Sequence, residues 1–226
     1  MILLFSDLDG TLEDSRADMA NAVVATRQFF NLPVEASAAY ESNVNKGMLE
    51  LYRSCFADFI TEQKKSGVED SVTIDKIREQ YETEYSNAIA LNTKLYDGMK
   101  ESMLALQKCG VRMAVITNKP EHLSRKLLGA LGVLNLVEVI VGGDTCAECK
   151  PSAVPLKFAA DKIGFAPELG DRAFMMGDTA ADIQAAHAFG AHSIWCSWGY
   201  LSALPVGTTP EFVANNTSDI KKILFS

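Results

Sequence analysis

The sequence has little of several residue types, and each shortage narrows the kinds of protein it can encode. Five cysteines scattered over 226 residues do not resemble a secreted disulfide framework. Three histidines and a single CxxC pair, Cys146 with Cys149, fall short of a zinc site, which needs a second pair or nearby histidines. We therefore expect free thiols, with a redox role for this pair left open.

Long apolar runs and an excess of positive charge are missing as well. No stretch approaches the roughly 18 apolar residues that cross a bilayer, and the run Ile2 to Phe5 meets Asp7 too soon for a signal peptide. A formal charge of -8 disfavours a broad basic face for nucleic acid or anionic lipid. We expect a cytoplasmic protein with neither a membrane nor a nucleic acid as partner, either a monomer or a homodimer.

The glycine signatures of common nucleotide-binding and serine-hydrolase sites, GxxxxGK, GxGxxG and GxSxG, do not occur. What is present is the composition of a globular protein, with 48% hydrophobic and 22% charged residues. The length suits one large domain or a core with a smaller inserted domain.

Apolar runs that end in polar loops alternate with helix-like stretches along most of the chain. The strands predicted from these runs cover residues 1–5, 111–116, 137–141, 173–176 and 193–196. Strands that alternate with helices form parallel βαβ units. The pattern predicts an α/β fold with a doubly wound parallel sheet.

The first two strands are separated by residues with helical spacing only. Helices are predicted over 18–30, 48–60 and 74–89, and no strand is predicted among them. We therefore expect two domains: an α/β core made of 1–14 and 92–226, and an all-helical insertion over 15–91.

Polar residues follow four of the predicted strands, at 7–11, 117–119, 144–150 and 178–182. In open parallel sheets the reactive groups gather at the carboxyl ends of the strands. We expect these four stretches to meet at one edge of the sheet.

The residue types at this edge suit the chemistry of a phosphate monoester. Asp7 and Asp9 can face one small space because Gly10-Thr11 allow a tight turn. With Asp178 they offer hard oxygen ligands, which Mg²⁺ prefers. A carboxylate and a phosphate repel each other by roughly 4 kcal/mol at about 4 Å in a protein-like dielectric, so a cation is needed.

Further polar residues complete the set. Lys150 can balance the remaining negative charge, and Thr117 and Asn118 can donate hydrogen bonds to phosphoryl oxygens. Asp9 is placed to protonate a leaving alcohol and then to activate water against an aspartyl phosphate on Asp7.

DLDGTLEDS, VITNK, the lysine of KPSAVPL and GDTAAD, in that order, resemble the four motifs of the haloacid-dehalogenase superfamily. With the insertion between the first two motifs, the likeness spans nearly the whole chain. Within the superfamily the chain resembles phosphoglycolate-phosphatase-like members with a helical cap. The dehalogenases lack a carboxylate at the position of Asp9, so the resemblance points to phosphoryl transfer.

The resemblance implies a role for each of these residues. Asp7 would be the nucleophile, Asp9 the acid and base, and Thr117 and Lys150 the phosphate holders. The residues implied at the Mg²⁺ site are Asp7, Asp178, Asp9 through its backbone carbonyl, and Asp182, which would orient a metal-bound water or Lys150.

The implied substrate is a small phosphorylated metabolite, with phosphoglycolate as the leading candidate. Gly10, Thr11 and Asn118 would contact it in the core, and Lys46-Gly47 of the cap could touch its leaving group, although a plain interhelical loop explains Lys46 equally well. Two other functions stay open. A sugar-phosphate mutase of the β-phosphoglucomutase type shares every core motif, and a non-catalytic protein that binds phosphorylated metabolites could keep the fold.

Overall fold

The computed structural model describes residues 1–44 and 47–226. These residues form two compact units, one of Met1–Asp14 with Lys94–Ser226 and the other of Ser15–Thr93. In the described part of the chain, no helix is long and apolar enough to span a membrane.

The strands are β1 (Ile2–Ser6), β2 (Glu13–Asp14), β3 (Lys94–Leu95), β4 (Val111–Ile116), β5 (Val139–Val141), β6 (Arg172–Gly177), β7 (His192–Cys196) and β8 (Phe212–Ala214). The helices of the described residues are α1 (Arg16–Phe29), α2 (Glu41–Val44), α3 (Met48–Cys55), α4 (Ala57–Lys65), α5 (Asp70–Asn87), α6 (Met99–Lys108), α7 (Glu121–Ala130), α8 (Val154–Ile163), α9 (Ala180–Phe189) and α10 (Asp219–Leu224).

A six-stranded sheet organises the first unit, in the order β5-β4-β1-β6-β7-β8. All its neighbouring strands pair in parallel. β2 and β3 form a separate antiparallel pair. The predicted α/β fold with a doubly wound parallel sheet is confirmed.

Both faces of the sheet are buried, which explains why its central strands are apolar throughout. Leu3 and Phe5 of β1 pack in one cluster with Leu156 of α8. Leu4 points to the opposite face, where it lies near Met103 of α6. Helices on the two faces thus fix β1 in the middle of the sheet, next to β4 and β6.

The second unit contains helices and no strand among its described residues, as the helical spacing predicts. Tyr81 of α5 packs against Tyr52 of α3 and Tyr85 of its own helix, with ring centroids 5.4 and 6.1 Å apart. Asp18 near the start of α1 is buried and accepts hydrogen bonds from Asn92 and Thr93 at the far end of the unit.

Three sequence predictions of element bounds are wrong. The helix predicted over 48–60 is broken at Phe56, whose φ of -129° ends α3 before α4 begins. The strand predicted over 137–141 starts only at Val139, after a 3-10 turn at Leu134–Leu136. The strand predicted over 193–196 is not the last strand of the sheet, because the short edge strand β8 pairs with it. The three residues of β8 show no alternation of apolar and polar residues from which a strand could be predicted.

Candidate active site

The sheet brings polar residues from several strand ends to one edge. Asp7 follows β1 and its backbone N–H donates to the carbonyl of Met176 in β6, 2.9 Å away. Thr117 follows β4 and donates in the same way to Val141 of β5, also at 2.9 Å. These bonds continue the ladders of the sheet by one step, so both residues are fixed by the strands that precede them.

Three buried carboxylates form a cluster at this edge. Asp7, Asp178 and Asp182 each offer an oxygen, and these oxygens lie within 4.8 Å of one another. Burial, followed by the charge of Asp182, raises the pKa of Asp178 to about 7. Burial also raises the pKa of Asp7 well above its usual range. Without a cation, therefore, the cluster resists full ionisation.

Lys150 lies between two of these carboxylates. Its Nζ is 2.7 Å from Oδ1 of Asp7 and 2.6 Å from Oδ1 of Asp182. Burial lowers the pKa of Lys150, but the charges of Asp182 and Asp7 outweigh this effect and leave the pKa above its ordinary value. Lys150 is therefore a buried ammonium group in contact with Asp7.

Asp182 fixes both Lys150 and the start of α9. Its Oδ2 accepts bonds from the backbone N–H of Thr179 at 3.0 Å and from the Thr179 hydroxyl at 2.7 Å, in a reciprocal capping box. Its other oxygen is left for Lys150. One carboxylate thus joins the helix N-terminus to the ammonium group.

The loop after β4 holds the backbone of Lys150 in place. The side-chain carbonyl of Asn118 accepts from the Lys150 N–H at 3.1 Å, and its amide donates to the Lys150 carbonyl at 3.2 Å. Asn118 was expected to donate to substrate. Its observed bonds instead position Lys150, and its contact with substrate stays a prediction.

Lys119 is a site residue to which the sequence assigned no role. It is only 3% exposed although it carries a charge, and its Nζ bonds to Oδ1 of Asp9. Its backbone N–H donates to the hydroxyl of Thr117 at 3.1 Å. Its position directly after Thr117-Asn118, at the end of a predicted strand, is the feature of the sequence that could have indicated a role at the site.

Gly10 and Thr11 line the loop that follows the two aspartates. Gly10 has a φ of +79°, and a Cβ at this position would lie 2.4 Å from Oδ2 of Asp178. Thr11 is fully buried, and its hydroxyl has no hydrogen-bond partner within residues 1–44 and 47–226. Gly10 is therefore needed for both its backbone angle and its closeness to the carboxylate.

Gly47 belongs to the second unit, and Cys146 and Cys149 belong to the first. Lys46 lies outside the described residues, and its neighbour Gly47, with a φ of +87°, precedes α3 in the helical unit. Cys146 and Cys149 are free thiols on the loop before Lys150, the first partly buried and the second exposed. The Cys149 thiol donates to the carbonyl of Gly143.

Known proteins resemble this chain over most of its length. A phosphoglycolate phosphatase of Colwellia psychrerythraea is 34% identical over 202 residues, which cover 88% of this chain and 85% of that protein. A phosphoglycolate phosphatase of Aquifex aeolicus is 33% identical over 227 residues, covering 99% and 96%. The crystal structure of a predicted phosphoglycolate phosphatase from Haemophilus somnus superposes with a TM-score of 0.82 at 27% identity, covering 98% and 96% of the two chains.

The family model described as haloacid dehalogenase-like hydrolase matches residues 3–196, which include all four motif segments. This chain belongs to the haloacid dehalogenase-like hydrolase family.

Proposed function

We propose that this protein is a Mg²⁺-dependent phosphatase that hydrolyses small phosphate monoesters through an aspartyl phosphate on Asp7. The observation that carries the proposal is the buried cluster of Asp7, Asp178 and Asp182 with Lys150 in contact with two of its members. The name phosphoglycolate phosphatase, shared by curated relatives over most of the chain, makes phosphoglycolate the leading substrate.

The donor atoms at the site suit magnesium. The three clustered donors are carboxylate oxygens, and Oδ1 of Asp178 is buried with no hydrogen-bond partner among the described residues. When ionised, the three clustered carboxylates face the single ammonium group of Lys150, which leaves a formal excess of two negative charges. A divalent cation matches this excess.

The proposed ligands are Asp7, Asp178, the backbone carbonyl of Asp9, and Asp182 as an outer residue that orients a water or Lys150. When bound there, the cation offsets the repulsion between Asp7 and the phosphate. Lys150 adds a second positive charge beside the Asp7 carboxylate. The hydroxyls of Thr117 and Thr11 supply donors at the phosphoryl oxygens, and Gly10 lets the loop approach closely but is not itself a donor, since its own N–H donates to Glu13.

The reaction proceeds in two steps. A carboxylate oxygen of Asp7 attacks phosphorus, the bond from phosphorus to the ester oxygen breaks, and Asp9 gives its proton to the leaving alcohol. Asp9 then takes a proton from a water molecule, which attacks phosphorus and releases inorganic phosphate from Asp7. One ester and one water thus give one alcohol and one phosphate, and both aspartates return to their starting forms.

The helical unit Ser15–Thr93 is proposed to act as a substrate-selecting cap. The residues of this unit that are proposed to contact the leaving group of the substrate are Lys46 and Gly47. Lys46→Ala should then raise KM for the best substrate and leave hydrolysis of a minimal ester nearly unchanged, whereas Lys65→Ala on the same unit should alter neither value.

A panel of phosphate esters assayed with Mg²⁺ tests the proposed function. We expect release of inorganic phosphate, with phosphoglycolate among the best substrates, and loss of release both with chelator and in Asp7→Asn. Full activity of Asp7→Asn would contradict the covalent mechanism. Isomerised sugar phosphate in place of free phosphate would indicate a mutase, and no turnover of any ester would indicate a binding protein.

A further inference from the structure

The loop that follows β7 contacts the acidic cluster although none of its residues belongs to the motifs. It contains Trp198, Gly199 and Tyr200, and it leaves the sheet at the same edge as the cluster. The backbone N–H of Tyr200 donates to Oδ2 of Asp178 at 2.7 Å. This bond occupies one oxygen of the carboxylate, and the other, Oδ1, has no hydrogen-bond partner in the part of the chain that the structure describes.

Gly199 leaves no room for a side chain. A Cβ at this position would lie 2.2 Å from the Cβ of Asp178, 2.6 Å from its Oδ2, and 2.6 Å from the carbonyl oxygen of Gly10. Unlike Gly10, Gly199 does not have a positive φ, so its backbone angle does not call for glycine. The requirement for glycine here comes from the close approach to Asp178 and to the backbone carbonyl of Gly10.

Two tryptophans, Trp195 in β7 and Trp198 in the loop, donate hydrogen bonds to the backbone beside the cluster. Nε1 of Trp195 donates to the backbone carbonyl of Asp178 at 3.2 Å. Nε1 of Trp198 donates to the carbonyl of Thr11 at 3.1 Å, and its ring packs edge-on against Tyr96. Gly10, Gly199 and Tyr200 thus all lie close to the side chain of Asp178.

We propose that the loop Trp198-Gly199-Tyr200 is a positioning element for cation binding, which holds one oxygen of Asp178 so that the other is directed at an oxygen-preferring divalent cation. The inference rests on the proposed function for the identity of the ion. It adds a set of residues, outside the four motifs, on which the affinity of that ion depends. Groups that orient metal ligands in this way typically change metal affinity by about 10- to 100-fold when they are altered.

Magnesium titration calorimetry on Gly199→Ala tests the proposal against a matched control. The control is Gly129→Ala, because a Cβ there meets only Leu134, at an ordinary contact distance of 3.8 Å. We expect Mg²⁺ to bind about 10- to 100-fold more weakly to Gly199→Ala and equally well to Gly129→Ala. In assays, Gly199→Ala should need more Mg²⁺ for half-maximal rate, with KM for the ester nearly unchanged at saturating Mg²⁺.

A purely structural role predicts a different result. The melting temperature of the metal-free protein would fall while the folded protein kept its Mg²⁺ affinity, and this outcome overturns the proposal. If Gly199→Ala does not fold, Trp198→Phe is the second test, since it removes the hydrogen bond to Thr11 and keeps an aromatic ring near Tyr96. Weaker Mg²⁺ binding by Trp198→Phe supports the proposal, and unchanged binding overturns it.

Failure of the proposed function has its own signature. If the wild-type protein binds no Mg²⁺, both the proposed function and the role of the loop are overturned. If the wild-type protein binds Mg²⁺, Asp178→Asn does not, and Gly199→Ala binds it as tightly as the wild type, only the role of the loop is overturned.

Discussion

At the scale of single residues, the three clustered carboxylates differ in how their oxygens are used. Asp182 bonds to Lys150 with one oxygen and caps α9 with the other. Asp7 contacts Lys150 through Oδ1. Only Asp178 combines a fixed oxygen with a buried, unpartnered one. Of the three carboxylates, Asp178 is therefore the one whose buried oxygen is best placed to bind a cation.

Magnesium affinity should weaken as the pH falls below about 7. The pKa of Asp178 is raised from its ordinary value of 3.8 to about 7, mainly by burial, so a proton must leave before the cation binds. Affinity should drop by about tenfold or more for each pH unit below that pKa. Calorimetry at about pH 6 and about pH 8 checks this, and equal affinities would contradict the account.

The same shift predicts how stability changes when no cation is present. Between the ordinary pKa of Asp178 and its raised value, the unfolded chain binds fewer protons than the folded one. The free energy of unfolding should therefore decrease as the pH rises through this window. Added Mg²⁺ should reverse the decrease at neutral pH, because it binds the folded form.

The sequence indicates the motif positions but not the residues that bond to them or pack against them. Asp7, Asp178 and Lys150 stand at strand ends, and a strand end is visible in the sequence as an apolar run that stops. Lys119 bonds to Asp9, 110 positions earlier in the chain, and Gly199 packs against Asp178, 21 positions earlier. Contacts between residues so far apart in the chain produce no motif in the local sequence, so they become visible only in the folded structure.

At the scale of elements, apolar runs predict the central strands well because those strands are buried on both faces. β8 at the edge has one exposed and one half-buried residue among its three, and its sequence offers no such run. The break between α3 and α4 depends on Phe56, a fully buried residue whose apolar character also suits an unbroken helix. The spacing of apolar residues therefore cannot distinguish a break at Phe56 from one continuous helix.

Asp18 joins the two ends of the helical unit, and its removal should destabilise that unit. Its carboxylate accepts bonds from the backbone and side chains of Asn92 and Thr93, which lower its pKa against the opposing effect of burial. Asp18→Ala leaves buried donors unpaired and should reduce the free energy of unfolding by about 2–3 kcal/mol. Urea denaturation measures this loss.

Asp75→Ala is the matched control on the same unit, because Asp75 forms only an exposed pair with Arg78, and it should cost at most about 1 kcal/mol. Since the pKa of Asp18 is lowered, its contribution is present above the ordinary aspartate pKa and lost as the pH falls through the folded value. The difference between wild type and Asp18→Ala should therefore shrink in acid. A difference that persists unchanged there would argue against a role for the charge.

At the scale of the whole molecule, parallel topology explains how distant residues meet. β1 lies between β4 and β6, so the residues that follow these three strands share one edge although they are 110 and 171 positions apart. The rule predicts that Asp7, Thr117 and Asp178 share this edge, and Asp7 and Asp178 lie together in the buried cluster. The overall charge of -8 does not prevent a phosphate site, because Lys119 and Lys150 place positive charge locally.

The most direct test of the account is a chemical trap for phosphorylated Asp7. The enzyme is quenched in acid during turnover of a phosphate ester with Mg²⁺ and treated with borohydride, which reduces an acyl phosphate to an alcohol. Peptide mass spectrometry should then find homoserine at position 7 in the wild type and not in Asp7→Asn. Steady hydrolysis by the wild type, with position 7 always recovered as aspartate and the modification found at another residue, would contradict the central claim.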